Sequence, residues 1–256
     1  MDDFFSRSEA LLGSEVLEAL RSKRVILFGV GGVGSWAAET LIRTGLTHLT
    51  IVDGDTVQPS NLNRQLPATQ QTMGLPKVEA LRERLLTINP EAEIVAINAM
   101  YKGQSPMENG QWKMENGQGE MDFELSSYDY LIDAIDSVSD KTDLLLRASR
   151  VRALNIYSSM GAALRFDPTQ VTTGELMSVK GDALARAVRE RMKRLGVKPS
   201  KKIRCVYSLE QAQRCESRGS LMQVTAVFGC TLAGLVIEHV RNSFRRECPR
   251  EQSLPR

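Results

Sequence analysis

Cysteine is scarce in this 256-residue chain: Cys205, Cys215, Cys230 and Cys248 stand alone, with no CxxC pair. That spacing excludes a paired-thiolate zinc site and supplies no disulfide framework, so a reducing cytoplasm is the expected compartment. Histidine is scarcer still, and neither His48 nor His239 makes an obvious partner for a cysteine nucleophile. No charge of one sign dominates; the net charge of +2 does not by itself imply a nucleic-acid or membrane partner. The opening Met1-Asp2-Asp3 lacks the basic and apolar stretches of a signal peptide. Uninterrupted apolar runs are missing as well. The longest, Leu221 to Val240, is broken by Gln223, Gly229, Gly234, Glu238 and His239, which suits a buried helix better than a membrane span.

What is present is an ordinary globular composition, 42% apolar and 25% charged, with length for one large α/β domain or two small ones. Asp3 to Leu20 reads as one or two short helices. Strands are expected at Val25–Phe28, His48–Val52, Glu93–Asn98, Tyr128–Ile135 and Asn155–Met160. Between them, helices are expected over Gly34–Thr44, Pro76–Ile88 and Asp140–Leu154. Pro76 is a start signal and Asn89-Pro90 a stop. Such alternation predicts an α/β fold with a doubly wound, mostly parallel sheet. Beyond residue 160, Leu164–Thr173 and Ile203–Leu209 look like strands, Gly181–Leu195 like a basic helix, and an apolar helix follows from Leu221.

Residues 102–124 break the pattern with an imperfect repeat, Met107-Glu108-Asn109-Gly110-Gln111 and Met114-Glu115-Asn116-Gly117-Gln118. Two Asn-Gly pairs and few apolar residues predict a mobile loop, read as a tolerated insertion in preference to a functional lid. The segment after Pro249 is expected to be disordered.

Chemistry concentrates at the strand ends. Val25 to Phe28 feeds Gly29-Val30-Gly31-Gly32-Val33-Gly34, a GxGxxG turn, and Asp53 follows 19 residues after Gly34. Glycines let the backbone approach phosphate oxygens, and a carboxylate at the next strand end suits a ribose hydroxyl. Those marks fit NAD and ATP alike. Downstream come Asn61, Arg64 and, 13 residues after Arg64, Lys77 in the first turn of its helix. A cation there opposes the helix dipole, so an anion nearby is inferred. Arg64 and Lys77 together could neutralise a triphosphate. Asp136, in Asp133-Ala134-Ile135-Asp136-Ser137, stands where a parallel sheet binds ligands and could hold Mg²⁺. The bland alternatives are surface ion pairs for the two cations and a helix cap for Asp136.

Taken together, GxGGxGS, D-x-D-x-V-x-x-x-N-x-x-R-Q, G-x-P-K and D-A-I-D-S resemble the adenylating domain of the ubiquitin-activating-type (ThiF/MoeB/HesA) superfamily. Within it, Asn63-Arg64-Gln65, Ile88-Asn89-Pro90, Asp167-Pro168-Thr169-Gln170 and Cys205-Val206-Tyr207-Ser208 make the chain most similar to the tRNA threonylcarbamoyladenosine dehydratase family. The resemblance implies a Rossmann-like fold completed as one domain over residues 1–248, with 161–240 forming the substrate side and a homodimer face. It implies an ATP-dependent enzyme that adenylates a carboxylate on tRNA adenosine 37, whose carbamoyl oxygen then closes a ring and expels AMP. Gly29, Gly31, Gly32 and Gly34 would lie under the phosphates and Asp53 on the ribose. Arg64 and Lys77 would meet phosphate charge, Asp136 would bind Mg²⁺, and Asn61 would lie near the reacting phosphate. Arg7 matches an arginine that reaches across the homodimer.

A tRNA substrate needs a phosphate-binding surface, and ten Lys/Arg crowd Lys180 to Arg204 against Asp182 and Glu190. Arg186, Arg189 and Lys193 share a helix face, with Lys201 and Lys202 beyond it; the bland alternative is a solvated basic face. A monovalent cation and a sulfur-transfer auxiliary protein are further candidates from the resemblance. The competing assignment is an adenylyltransferase for a ubiquitin-like sulfur-carrier protein, whose branches usually hold a zinc on two CxxC pairs. A non-catalytic nucleotide-binding module, a thioester role for Cys215 or Cys230, and a dehydrogenase complete the alternatives.

Overall fold

A computed structural model describes residues 4–102, 123–213 and 219–247 of the chain. Helices α1 (Ser6–Leu12) and α2 (Ser14–Arg21) lead into β1 (Arg24–Phe28), α3 (Gly34–Thr44) and β2 (His48–Val52). Then come α4 (Lys77–Ile88), β3 (Glu93–Ile97), β4 (Tyr130–Asp133), α5 (Val138–Arg150) and β5 (Asn155–Ser159). The order closes with β6 (Val171–Glu175), α6 (Ala183–Arg194), β7 (Arg204–Ser208) and α7 (Met222–Glu247).

These seven strands form one sheet in the order β3-β2-β1-β4-β5-β7-β6. Neighbours run parallel except β6 and β7, which are antiparallel. The chain therefore steps outward from β1 to β3, then returns to place β4 on the other side of β1. That reversal between β1 and β4 is a topological switch point, where open α/β sheets bind ligands. The doubly wound α/β fold expected from the sequence is the fold observed.

Alternation along β1 divides the core between the two faces. Val25 and Leu27 pack with residues of α2, α3, α4 and α7, whereas Ile26 and Phe28 pack with residues of α5 and α6. Met222–Phe244 in α7 is long and apolar enough to cross a membrane, and half of that window is buried. Its Val224, Phe228, Leu232 and Val236 are fully buried in the same cluster as Ala37, Ala38 and Leu41 of α3.

One strand differs from expectation. Asp167 Oδ1 accepts the Thr169 N–H at 2.9 Å, turning the chain at Pro168, so β6 begins only at Val171. Upstream of that turn, the Glu210 carboxylate, and no neighbouring strand, takes the N–H groups of Phe166 and Asp167. The tandem repeat, Cys215, Cys248 and the 249–256 tail lie outside the described residues.

Between α3 and α4, the buried Glu39 accepts hydrogen bonds from Arg84 at 2.6 and 3.2 Å and from Arg43 at 2.8 Å. Burial pushes its pKa up, but the bonds from Arg84 and Arg43 outweigh burial and leave it below the ordinary 4.5. A carboxyl depressed on folding stabilises above its unfolded pKa, and that stability is lost as pH falls through the folded value. Glu39→Gln should cost about 2 kcal/mol at neutral pH. It should also flatten the loss of stability expected of wild type as pH falls below 4.5. Denaturant melts across the acid range check both; an unchanged acid limb contradicts the assignment.

Candidate active site

A cleft of about 590 Å³ opens at the switch point, within the usual range for small-molecule sites. Its floor is the turn after β1. Gly29 has a φ of 86°, and a Cβ there would stand 2.8 Å from the Ala134 carbonyl oxygen. A Cβ on Gly34 would come 1.8 Å from the Gly29 carbonyl oxygen. Only glycine tolerates both positions. The turn thus closes on itself and against the β4–α5 turn, leaving Gly31 and Gly32 along the cleft. α3 starts without a side-chain cap, so its first N–H groups and dipole favour an anionic ligand.

Asp53 follows β2 and lines the cleft. Its Oδ2 accepts the Val30 N–H at 2.8 Å and its Oδ1 the Asp55 N–H at 2.9 Å, tying the two strand-end turns together. Burial pushes its pKa up despite those bonds and the nearby Lys77. Lys77, only 6% exposed, pairs through Nζ with Asp55 Oδ2 at 2.7 Å. The anion inferred near this lysine is therefore supplied by Asp55. Asp55 is more than half exposed, so a charged ligand can compete for the ammonium.

Arg64 also lines the cleft, beside Gly32. Its Nη1 donates to the Ser60 carbonyl at 2.9 Å and to Asn63 Oδ1 at 2.7 Å. Trp36 Nε1 donates to the Arg64 carbonyl at 3.1 Å, fixing this loop to α3. Asn61 does not line the cleft among the described residues; its Oδ1 accepts the Gln58 N–H at 3.0 Å and shapes the turn that carries Arg64.

Asp136 is exposed at the cleft, with Asp140 lining it one turn further on. No group of three or more His, Cys, Asp or Glu among the described residues could hold a metal alone. One or two carboxylates suit Mg²⁺ that takes its remaining ligands from phosphates and water. Beneath this turn lies a buried group with no local sequence signal. Lys141 Nζ donates to Asp133 Oδ2 at 2.5 Å, and Ser158 Oγ donates to the same oxygen at 2.6 Å. Asp133 Oδ1 accepts the Ile135 N–H at 3.0 Å, so the buried carboxylate shapes the turn that presents Asp136.

The structure thus gathers Gly29, Gly31, Gly32, Asp53, Arg64, Lys77 and Asp136 around one cleft. Gly34 lies beneath the turn, and the exposed Arg7 on α1 does not line its own chain's cleft. Asp182, Ala183, Leu184 and Ala187 bring the start of α6 to the same cleft. Arg186, Lys193 and Lys202 are exposed. Arg189 Nη1 donates to the Leu176 carbonyl at 3.0 Å, and Lys201 Nζ to the carbonyls of Val151 and Leu154. Burial pushes the Lys201 pKa down. Cys205 is buried, which pushes its thiol up, while the exposed Cys230 does not line the cleft.

The model of the ThiF family matches residues 5–253. The chain belongs to the ThiF family. It is 37% identical over 212 residues to the tRNA threonylcarbamoyladenosine dehydratase of Bacillus subtilis, covering 80% of this chain and 74% of that one. Identity to the Escherichia coli enzyme of the same name is 34% over 227 residues, 87% of this chain and 79% of that one. A crystal structure of the E. coli tRNA N6-threonylcarbamoyladenosine dehydratase with ATP superposes with a TM-score of 0.81 at 30% identity. That superposition covers 95% of this chain and 96% of that one.

In this ThiF-family chain the buried pair under the Asp136 turn is the most sensitive point of the site. Lys141→Met leaves Asp133 buried and uncompensated, at an expected cost of about 3–5 kcal/mol. Adding Asp133→Leu should recover much of that loss. A double-mutant cycle by chemical denaturation reads the coupling, and a near-neutral single substitution contradicts it.

Proposed function

We propose that this chain uses ATP to activate the carboxylate of the threonylcarbamoyl group on tRNA adenosine 37, then closes that group into a ring with net loss of water. One juxtaposition carries the reading. The cleft that holds the phosphate-reading residues Gly31, Arg64 and Lys77 is also lined by the first turn of the basic helix α6. Exposed Arg186 and Lys193 continue along that helix, with Lys202 beyond it. A basic helix that starts at the nucleotide cleft supports a phosphate-tracking surface beside it.

Catalysis here is positioning and charge neutralisation. The α3 start and Gly31 cradle phosphate, Asp53 receives ribose hydroxyls, and Arg64 and Lys77 offset the charge that grows as pyrophosphate leaves. Mg²⁺, when bound at Asp136, neutralises phosphate charge. Ring closure uses the substrate's own carbamoyl oxygen, so no protein nucleophile is required. The buried Cys205 and the remote Cys230 accord with that. Arg7, exposed and away from its own cleft, acts in the cleft of a second copy in a homodimer. A cytoplasmic location follows from the substrate.

Pyrophosphate release from ATP should require threonylcarbamoyl-modified tRNA and should not occur with a carrier protein ending in Gly-Gly. Activity with the carrier alone contradicts the tRNA assignment and favours a sulfur-carrier adenylyltransferase. Lys77→Ala should lower turnover about 10²–10³-fold, the usual effect of removing a preorganised charge-stabilising donor. Its melting temperature should stay close to wild type, because the freed Asp55 is largely solvated. Unchanged turnover contradicts the phosphate role.

A further inference from the structure

The same cleft is lined by a buried cation with no part in the reaction proposed so far. Arg165 is 3% exposed and lines the cleft. Its Nε donates to the Gly161 carbonyl at 2.8 Å and its Nη2 to Asp182 Oδ2 at 2.9 Å. Nη1 is buried and has no hydrogen-bond partner among the described residues. Asp182 is already committed: Oδ2 also accepts the Gly161 N–H at 3.1 Å, and Oδ1 caps α6 through the Ala185 N–H at 2.9 Å. It cannot turn to serve Nη1 without uncapping that helix.

The preceding residue is also held against its preference. Leu164 has a φ of 63°, a region disfavoured for a non-glycine residue. Its N–H donates to the Gly219 carbonyl at 2.9 Å, and its own carbonyl accepts the Gln213 N–H at 2.8 Å. An unpaired guanidinium nitrogen and a strained backbone side by side at a cleft wall are features that cluster at functional sites. Around it the cleft is lined by Gly161, Ala162, Ala163, Ala183 and Ala187, with the larger Met160 and Leu184 among them. The small side chains leave room for an acyl group, and Arg165 is the buried cation beside it.

We propose that Arg165 Nη1 is the donor for the non-attacking oxygen of the substrate carboxylate, a role that rests on the reaction proposed above. Asp182 offsets the guanidinium charge, so the contact orients the carboxylate without quenching its nucleophilicity. In the first step the other carboxylate oxygen bonds to the α-phosphorus as the bond to pyrophosphate breaks. In the second, the carbamoyl oxygen bonds to the acyl carbon and the carbamoyl N–H proton is lost to solvent. The electron pair moves onto the oxygen held by Nη1, then returns as the bond to AMP breaks. A fixed donor is strongest where that charge develops.

The test compares two probes in the presence of a saturating non-hydrolysable ATP analogue: tRNA carrying the threonylcarbamoyl group, and the same tRNA lacking it. Wild type should bind the modified tRNA about tenfold more tightly, as expected for a charge-assisted hydrogen bond. Arg165→Lys should abolish that preference while leaving affinity for unmodified tRNA and for the ATP analogue unchanged. A retained preference, or equal weakening toward both tRNAs, overturns the proposal. If the substitution unfolds the chain, guanidinium ¹⁵N resonances of wild type decide. A buried arginine Nη signal should move with modified tRNA only, and no such shift overturns the assignment. Wild type that releases no pyrophosphate with modified tRNA defeats the underlying reaction. Wild type that reacts while Arg165→Lys keeps the preference defeats only the arginine's role.

Discussion

Two backbone carbonyls leave no room for a side chain, and the site depends on that crowding. The Gly29 carbonyl sits where a Cβ on residue 34 would lie, and the Ala134 carbonyl presses on Gly29. Parallel pairing of β1 with β4, Phe28 beside Asp133, brings these turns into register. Each strand therefore ends against the other, and the floor of the cleft is backbone. Gly31 and Gly32 then line the cleft with backbone, and Asp53 and Asp136 line it with carboxylates.

Charge is arranged around that floor in pairs fixed before any ligand arrives. Asp133 with Lys141 is wholly buried and sets the turn before α5; Arg165 with Asp182 does the same where α6 begins. Lys77 with Asp55 differs because its carboxylate is exposed. The first two pairs hold geometry, and the third can exchange one anion for another. Such preorganisation suits a reaction whose main demand is the placement of phosphate charge, since little reorganisation is left for the reacting step.

Much of this was legible in the chain. β2 falls on His48–Val52 as expected, because a β-branched run is bounded by a glycine and an aspartate. The convergence of Gly31, Asp53, Arg64, Lys77 and Asp136 on one cleft was also legible, from glycines and charges placed after strand ends and at a helix start. The strand expected from Leu164 was misplaced because an aspartate–proline turn and the distant Glu210 override its apolar character. Asn61 reads as a contact near the reacting phosphate; the structure shows its oxygen accepting the Gln58 N–H, a local bond its sequence neighbours do not announce. Lys201 looked like a free cation, but carbonyls some fifty residues away in sequence receive it. Lys141 and Arg165 gave no signal, since only the folded sheet brings Ser158, Asp133, Gly161 and Asp182 to them.

In the proposed reaction a substrate carboxylate attacks the α-phosphate in this cleft, and AMP departs only when the ring closes. Oxygen tracing tests it most directly. With ¹⁸O in the carboxylate of the threonylcarbamoyl group, attack transfers one labelled oxygen to phosphorus, and ring closure breaks the acyl carbon–oxygen bond. Single-turnover reaction followed by mass spectrometry should find one ¹⁸O in the AMP phosphate. Unlabelled AMP from labelled tRNA would contradict adenylation of that carboxylate.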